Sequence, residues 1–233
     1  MGVRREEGGP GRAGPRRMGR PPMADREAIV RAALDVGFSR LTMPAVAERL
    51  GVSHSTLYRY FPSRDALAAA TVDHAVHRVE WPEPGDDWSA FLAATGWAHW
   101  RLYAAHPGLA QEVTGLRLTG RALVHRGNRI GLALLEFGFA AADAVLIVDM
   151  LGELVTQAFL AVPPAVGGDG TRDTSAGAAQ RRRRELLGPW MEEYDPRLRG
   201  ALAAAVAGPP KAWFERKLDL FLDGAAARRH RSR

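Results

Sequence analysis

Between Ser53 and Tyr60 the chain reads SHSTLYRY, a run of hydrogen-bonding side chains with a single leucine inside it. Ser53, His54, Ser55 and Thr56 supply short donors and acceptors; Tyr58, Arg59 and Tyr60 supply longer ones. Side chains of these kinds bond base edges in a DNA groove, and the longer or cationic ones bond the phosphates beside it. That use requires a rigid support that holds one polar edge outward.

Other chemistries have less footing. The sequence contains no cysteine, which removes disulfides, thiol nucleophiles and thiolate metal sites. It has no G-x-S-x-G elbow and no G-x-x-x-x-G-K-[ST] phosphate loop, so an enzyme is not expected. His74 with His77, and His99 with His106, share helical faces, but no H-E-x-x-H pattern accompanies them. Solvated or core histidines are expected there, with no metal and no cofactor.

The net charge of +6 belongs to the ends of the chain. Residues 1–22 carry +4 and residues 228–233 carry +4, leaving −2 for everything between. Basic ends attract phosphate without choosing a base sequence.

The elements that must position the polar run follow from periodicity. Apolar residues recur at three and four, with no alternating segment, so the fold is expected to be all-α. Val30, Leu34 and Phe38 stripe a first helix over residues 26–38. Thr42 is placed to cap a second helix, Pro44 suits its first turn, Val46 and Leu50 form its inner face, and Gly51 stops it. Ser53 caps a third helix, and Val52 with Leu57 has the spacing of a hydrophobic staple. Ser63 then caps a fourth helix from Arg64 to about Val79. The result is a helix, a three-residue turn with glycine, and a short helix, which is the layout that lays a helix into a major groove. Over residues 23–80, however, seven arginines meet seven acidic residues, and the pattern alone fits a polar surface helix equally well.

The run LTMPAVAERLGVSHSTLYRYFPSRDAL, residues 41–67, resembles the DNA-binding signature of the TetR/AcrR family of bacterial transcriptional regulators. The resemblance implies a homodimer, normally a repressor, on a palindromic operator in double-stranded DNA. It makes Ser53 to Tyr60 the recognition helix, with His54, Ser55, Thr56, Tyr58 and Arg59 as groove contacts. Thr42, Tyr60 and Arg64 become phosphate contacts, and Val46, Leu50, Val52 and Leu57 become core. The preceding RRMGRPP resembles the basic extensions that some members lay along the duplex, making Arg20 a candidate for the minor groove. A solvated tail is the alternative.

Three later segments, DWSAFLAATGWAHWRLYAAHPGLA, LLEFGFAAADAV and KLDLFLDGAAA, resemble more faintly the regulatory domain of the subgroup that includes the tetracycline repressor. This implies a ligand-binding and dimerisation domain over residues 87–227. Residues 88–106 carry aromatics on both faces, so Trp97, Trp100 and Tyr103 either line a pocket or pack in a core. With His99 and with Phe137 of the second segment, they are the candidate ligand contacts. Asp149, Glu153 and Gln157 form a polar stripe on an otherwise apolar helix. The stripe faces either the pocket, which would add Glu153 and Gln157 to the ligand contacts, or else water or an interfacial arginine. The resemblance pairs the helices near 143–161 and 213–226 with their symmetry mates. Tetracycline is held in that subgroup through a magnesium-binding histidine, but residues 107–124 contain none, so that ligand is not expected.

The expected organisation is a basic arm (1–22), a three-helix helix-turn-helix domain with its linking helix (23–80), a larger helical domain (87–227) with a mobile loop at 163–184, and a basic tail (228–233). With no apolar stretch of about 18 residues and no secretory h-region, a cytoplasmic protein free of the membrane is expected. The expected function is a regulator released from its operator by a small apolar or aromatic effector.

Overall fold

The computed structural model describes residues 25–114, 120–161, 165–166, 172–173, 181 and 184–231. The arm with Arg20, and most of the 163–184 stretch, lie outside the described residues.

The first unit is built from helices that each begin on a side-chain cap. Asp25 accepts from the Ala28 amide to open α1 (Arg26–Val36), and Thr42 accepts from the Ala45 amide to open α2 (Met43–Leu50). Ser53 opens α3 (His54–Tyr58), and Ser63 opens α4 (Arg64–His77). Each cap satisfies an amide that a helix start leaves without a partner, typically worth about 1 kcal/mol. Gly51 ends α2 in the left-handed region at φ 65°, where a side chain is disfavoured, and this reverses the chain into α3. Ile29, Val46, Leu57, Phe61 and Leu67 are all wholly buried and form the centre of the unit.

The first helix stops earlier than its periodicity suggests. Gly37 ends α1, and Phe38–Arg40 forms a 3-10 turn that still buries Phe38.

The second unit comprises α5 (Trp88–Ala105), α6 (Leu109–Val113), α7 (Arg121–Glu136), α8 (Ala141–Leu160), α9 (Pro196–Ala207) and α10 (Pro210–Arg231). Helix α5 packs against α8 and α10, and α7 against α8. Helix α4 packs against both α1 and α7, so one continuous core runs through both units. Outside helices, a two-residue antiparallel ladder joins Ala165–Val166 to Arg172–Asp173. Among the described residues no helix is long and apolar enough to cross a membrane.

The last helix runs further than a separate basic tail would allow. It continues through Arg231, with the Arg228 guanidinium 3.0 Å from Asp143 and Arg229 Nε donating to the Phe137 carbonyl at 2.9 Å. These two arginines therefore hold α10 to the start of α8 and the end of α7.

Candidate nucleic-acid interface

Helix α3, the expected recognition helix, is held from beneath and from both ends. Leu57 is fully buried under it, and Val52 packs on the same core. At its start the Ser53 hydroxyl accepts the Thr56 amide and lies 2.8 Å from Ser55 Oγ and 3.0 Å from Thr56 Oγ1. At its far end Arg26 Nη1 donates to the Tyr60 carbonyl at 2.9 Å while its guanidinium sits 4.2 Å from the centre of the Phe61 ring. Sequence reasoning missed Arg26 as a support for this helix, because its contact lies 34 residues along the chain.

What remains outward is polar. His54, Ser55, Tyr58 and Arg59 are exposed, as are Ser53 and the cap residue Thr42, while Thr56 is half-buried. Tyr60 is also half-buried, with part of its ring on the core.

Arg64 departs from the expected phosphate contact. Its two terminal nitrogens grip both carboxylate oxygens of Glu112 on α6, and Nε donates to the Leu41 carbonyl at 3.2 Å. Glu112 raises the pKa of the guanidinium above its ordinary value against the opposing effect of burial. A fork-to-fork pair of this kind uses the donors a phosphate would need. Of the other arginines in this unit, Arg26, Arg31, Arg49 and Arg78 also have partners within the protein. Arg40 and Arg59 are exposed, and among the described residues no hydrogen bond or ion pair occupies either guanidinium.

A profile of the bacterial regulatory proteins of the tetR family matches residues 26–71, from the start of α1 to midway along α4. The class C tetracycline repressor protein of Escherichia coli is 30% identical over 207 residues, covering 85% of this chain and 89% of the relative. The class A repressor from transposon 1721, also of Escherichia coli, is 32% identical over 212 residues, covering 86% and 90%. The chain belongs to the TetR family. Its fold is similar to that of apo ActR from Streptomyces coelicolor, with a TM-score of 0.74 at 21% identity over 92% of this chain and all of that one. ActR solved with actinorhodin gives 0.68 at 23% identity, covering 89% and 97%.

Inside the second unit of this TetR-family protein, the candidate ligand contacts do not come together. Trp97, Trp100 and Tyr103 point into the packing of α5 with α8 and α10. The Trp100 ring stacks on Phe214 at 4.8 Å and meets Phe159 edge-on at 5.2 Å, and Trp97 meets Phe214 edge-on at 4.9 Å. The Tyr103 hydroxyl bonds Thr156 Oγ1 at 2.9 Å, and burial raises its pKa. Trp100 and Tyr103 are core residues in this structure, and Trp97 is half-buried against that core. Phe137 lies toward the other end of α5, 6.3 Å from Phe91. Glu153 and Gln157 are exposed, as is Asp149, so the polar stripe of α8 faces outward and not into an interior pocket.

His99 faces a different cluster. Its Nδ1 lies 3.0 Å from the Thr95 carbonyl, its ring packs 4.6 Å from Trp81, and burial lowers its pKa to about 4. The other helical-face histidines have local roles: His77 Nδ1 lies 2.6 Å from the Asp73 carbonyl, and His74 accepts from Arg78. His106 lies edge-on to Phe38, 6.3 Å away, at the boundary of the two units.

Proposed function

We propose that this chain is a homodimeric repressor that holds a palindromic operator through its two α3 helices and lets go when a small molecule occupies the regulatory unit. The observation that carries the reading is the exposed edge of His54, Ser55, Tyr58 and Arg59 on a helix anchored by Leu57, Ser53 and Arg26. A fixed edge with a mixture of donors and acceptors discriminates bases; a mobile one would not. Thr42, Tyr60, Arg40 and Arg59 supply the adjoining phosphate contacts, with Arg40 taking the part that Glu112 denies to Arg64.

The dimer uses α8 and α10. Their outer faces leave Leu146, Met150 and Leu220 exposed beside a groove that also contains Ile147, Leu154 and Phe221. An apolar, self-complementary face on two adjacent helices suits a two-fold four-helix contact. To enter successive major grooves, the two recognition helices of that dimer must sit roughly 34–36 Å apart, one turn of duplex. Release by a ligand is supported by kinship with tetracycline repressors and by the fold shared with ActR, which was solved with actinorhodin.

Selection of bound fragments from random DNA tests this reading. A palindromic consensus with half-sites one turn apart is expected. Equal retention of all sequences, abolished by modest salt, would leave only charge-driven binding.

A further inference from the structure

Arg126 on α7 is a buried cation without a counter-ion among the described residues. The residue is 6% exposed, and Nη2 donates to the Pro82 carbonyl at 3.1 Å. Buried Nε has no acceptor among the described residues. No carboxylate pairs with Arg126 among the described residues: Glu83 is bound to Arg129 at 2.7 Å, out at the surface. Burial and the neighbouring Arg129 both lower the pKa of the guanidinium, with Glu83 partly opposing them. Buried charges in proteins are ordinarily paired, because removing them from water is costly.

One aromatic ring occupies the space next to this cation. The Trp81 indole lies 4.7 Å from the Arg126 guanidinium carbon and 4.6 Å from the His99 ring. Trp81 is only half-buried and follows the end of α4, where its Nε1 donates to the Val76 carbonyl at 3.0 Å. Because a carbonyl can only accept, His99 Nδ1 carries the proton toward Thr95, and Nε2 is left as an acceptor.

We propose that Trp81, His99 and Arg126 form the binding site for an aromatic carboxylic acid, whose ring displaces the Trp81 indole and whose carboxylate takes the free donor of Arg126. This rests on the reading of the regulatory unit as ligand-binding and names the class of ligand. The place held by the Trp81 indole, between the Arg126 guanidinium and the His99 ring, suits another aromatic ring, and a guanidinium with no carboxylate partner among the described residues favours an anion. Displacing Trp81 also breaks its bond to the last turn of α4, the helix that begins beside the recognition helix. Occupancy is thereby linked to the tilt of the reading head.

The test compares carboxylates with their methyl esters, one to four fused rings in size, starting with 2-naphthoate and methyl 2-naphthoate, by calorimetry on the full chain. The acid is expected to bind once per protomer and at least about tenfold more tightly than its ester. Arg126→Leu should erase that preference while leaving ester binding unchanged, a result that a purely structural arginine would not produce. Trp81→Ala should bind the acid more tightly, because no indole competes. If Arg126→Leu does not fold, the comparison of acid with ester on the unaltered chain decides. Esters bound as tightly as acids, or acid affinity unchanged in Arg126→Leu, would overturn the proposal while leaving a ligand-binding unit in place. If neither class binds at any ring size, both the proposal and the ligand-binding reading fall.

Discussion

Tyr58, 53% exposed, and Arg59, also exposed, extend from a helix whose stability depends on other residues. Replacing either with Ala should therefore cost about 1–3 kcal/mol of operator binding with no change in melting temperature. A titrated gel shift beside a thermal melt separates the two effects, and a lowered melting point would show that these side chains support the fold. Leu57→Ala is the converse: it empties a fully buried site and should cost about 2–5 kcal/mol of stability. His99 gives a pH dependence with a defined sign. Its native pKa is about 4, below the ordinary 6.5, so between those values the unfolded chain takes up a proton that the native state refuses. The stabilisation is complete near neutral pH and is lost as pH falls from 6.5 toward 4. His106 shifts in the same direction, through burial and the nearby His74. Denaturant titrations of His99→Gln should show a shallower fall across that window, by about one proton's worth of slope. An unchanged slope would assign the acid sensitivity elsewhere.

At the scale of elements, the contact that matters most is that of α6 with the first unit. Arg64 begins α4, and Glu112 lies on α6, 48 residues away. Beside them the Ser39 hydroxyl donates to the Pro107 carbonyl at 3.2 Å. Gly108, at φ 93°, lies so close that a Cβ would collide with the Ser39 backbone nitrogen. Glu112→Gln keeps the shape but removes the charge, and should cost about 1.5–3 kcal/mol, the usual range for hydrogen bonds to a charged group. A double-mutant cycle with Arg64→Met isolates the pair, and additive costs would mean that the two side chains act separately. Gly108→Ala should push α6 off the 3-10 turn and destabilise the boundary. Hydrogen exchange at residues 38–41 and 107–113 would report it.

At the scale of the whole molecule, operator affinity and association should be inseparable. Leu220 is 74% exposed on α10, and Met150 is 46% exposed on α8, both bordering the same apolar groove. Leu220→Glu or Met150→Glu places a charge on that face, which should yield a folded monomer by sedimentation with operator affinity lowered at least about a hundredfold. A dimeric Leu220→Glu variant would place the interface on another face. Deleting residues 1–17 removes five of the six arginines of the arm, and should flatten the salt dependence of DNA binding while preserving the preferred sequence. A changed consensus would show that the arm reads bases.

The caps and stops of the first unit were legible in the chain because each is settled within about four residues. Thr42, Ser53 and Ser63 bond amides three positions ahead, and Gly51 ends α2 through its own backbone freedom. The helix-turn-helix and its outward polar edge follow from such local choices and from a staple of spacing five. Tertiary structure decided which of two partners a long side chain takes and which face of an aromatic helix meets a neighbour. Arg64 looked free for phosphate until Glu112 was brought to it, and Trp97, Trp100 and Tyr103 looked equally suited to a pocket until Phe159 and Phe214 covered them. Arg126 carried no signal at all in the sequence, since its meaning depends on what surrounds it. Periodicity specifies that a face must be covered; only the arrangement of the helices specifies by what.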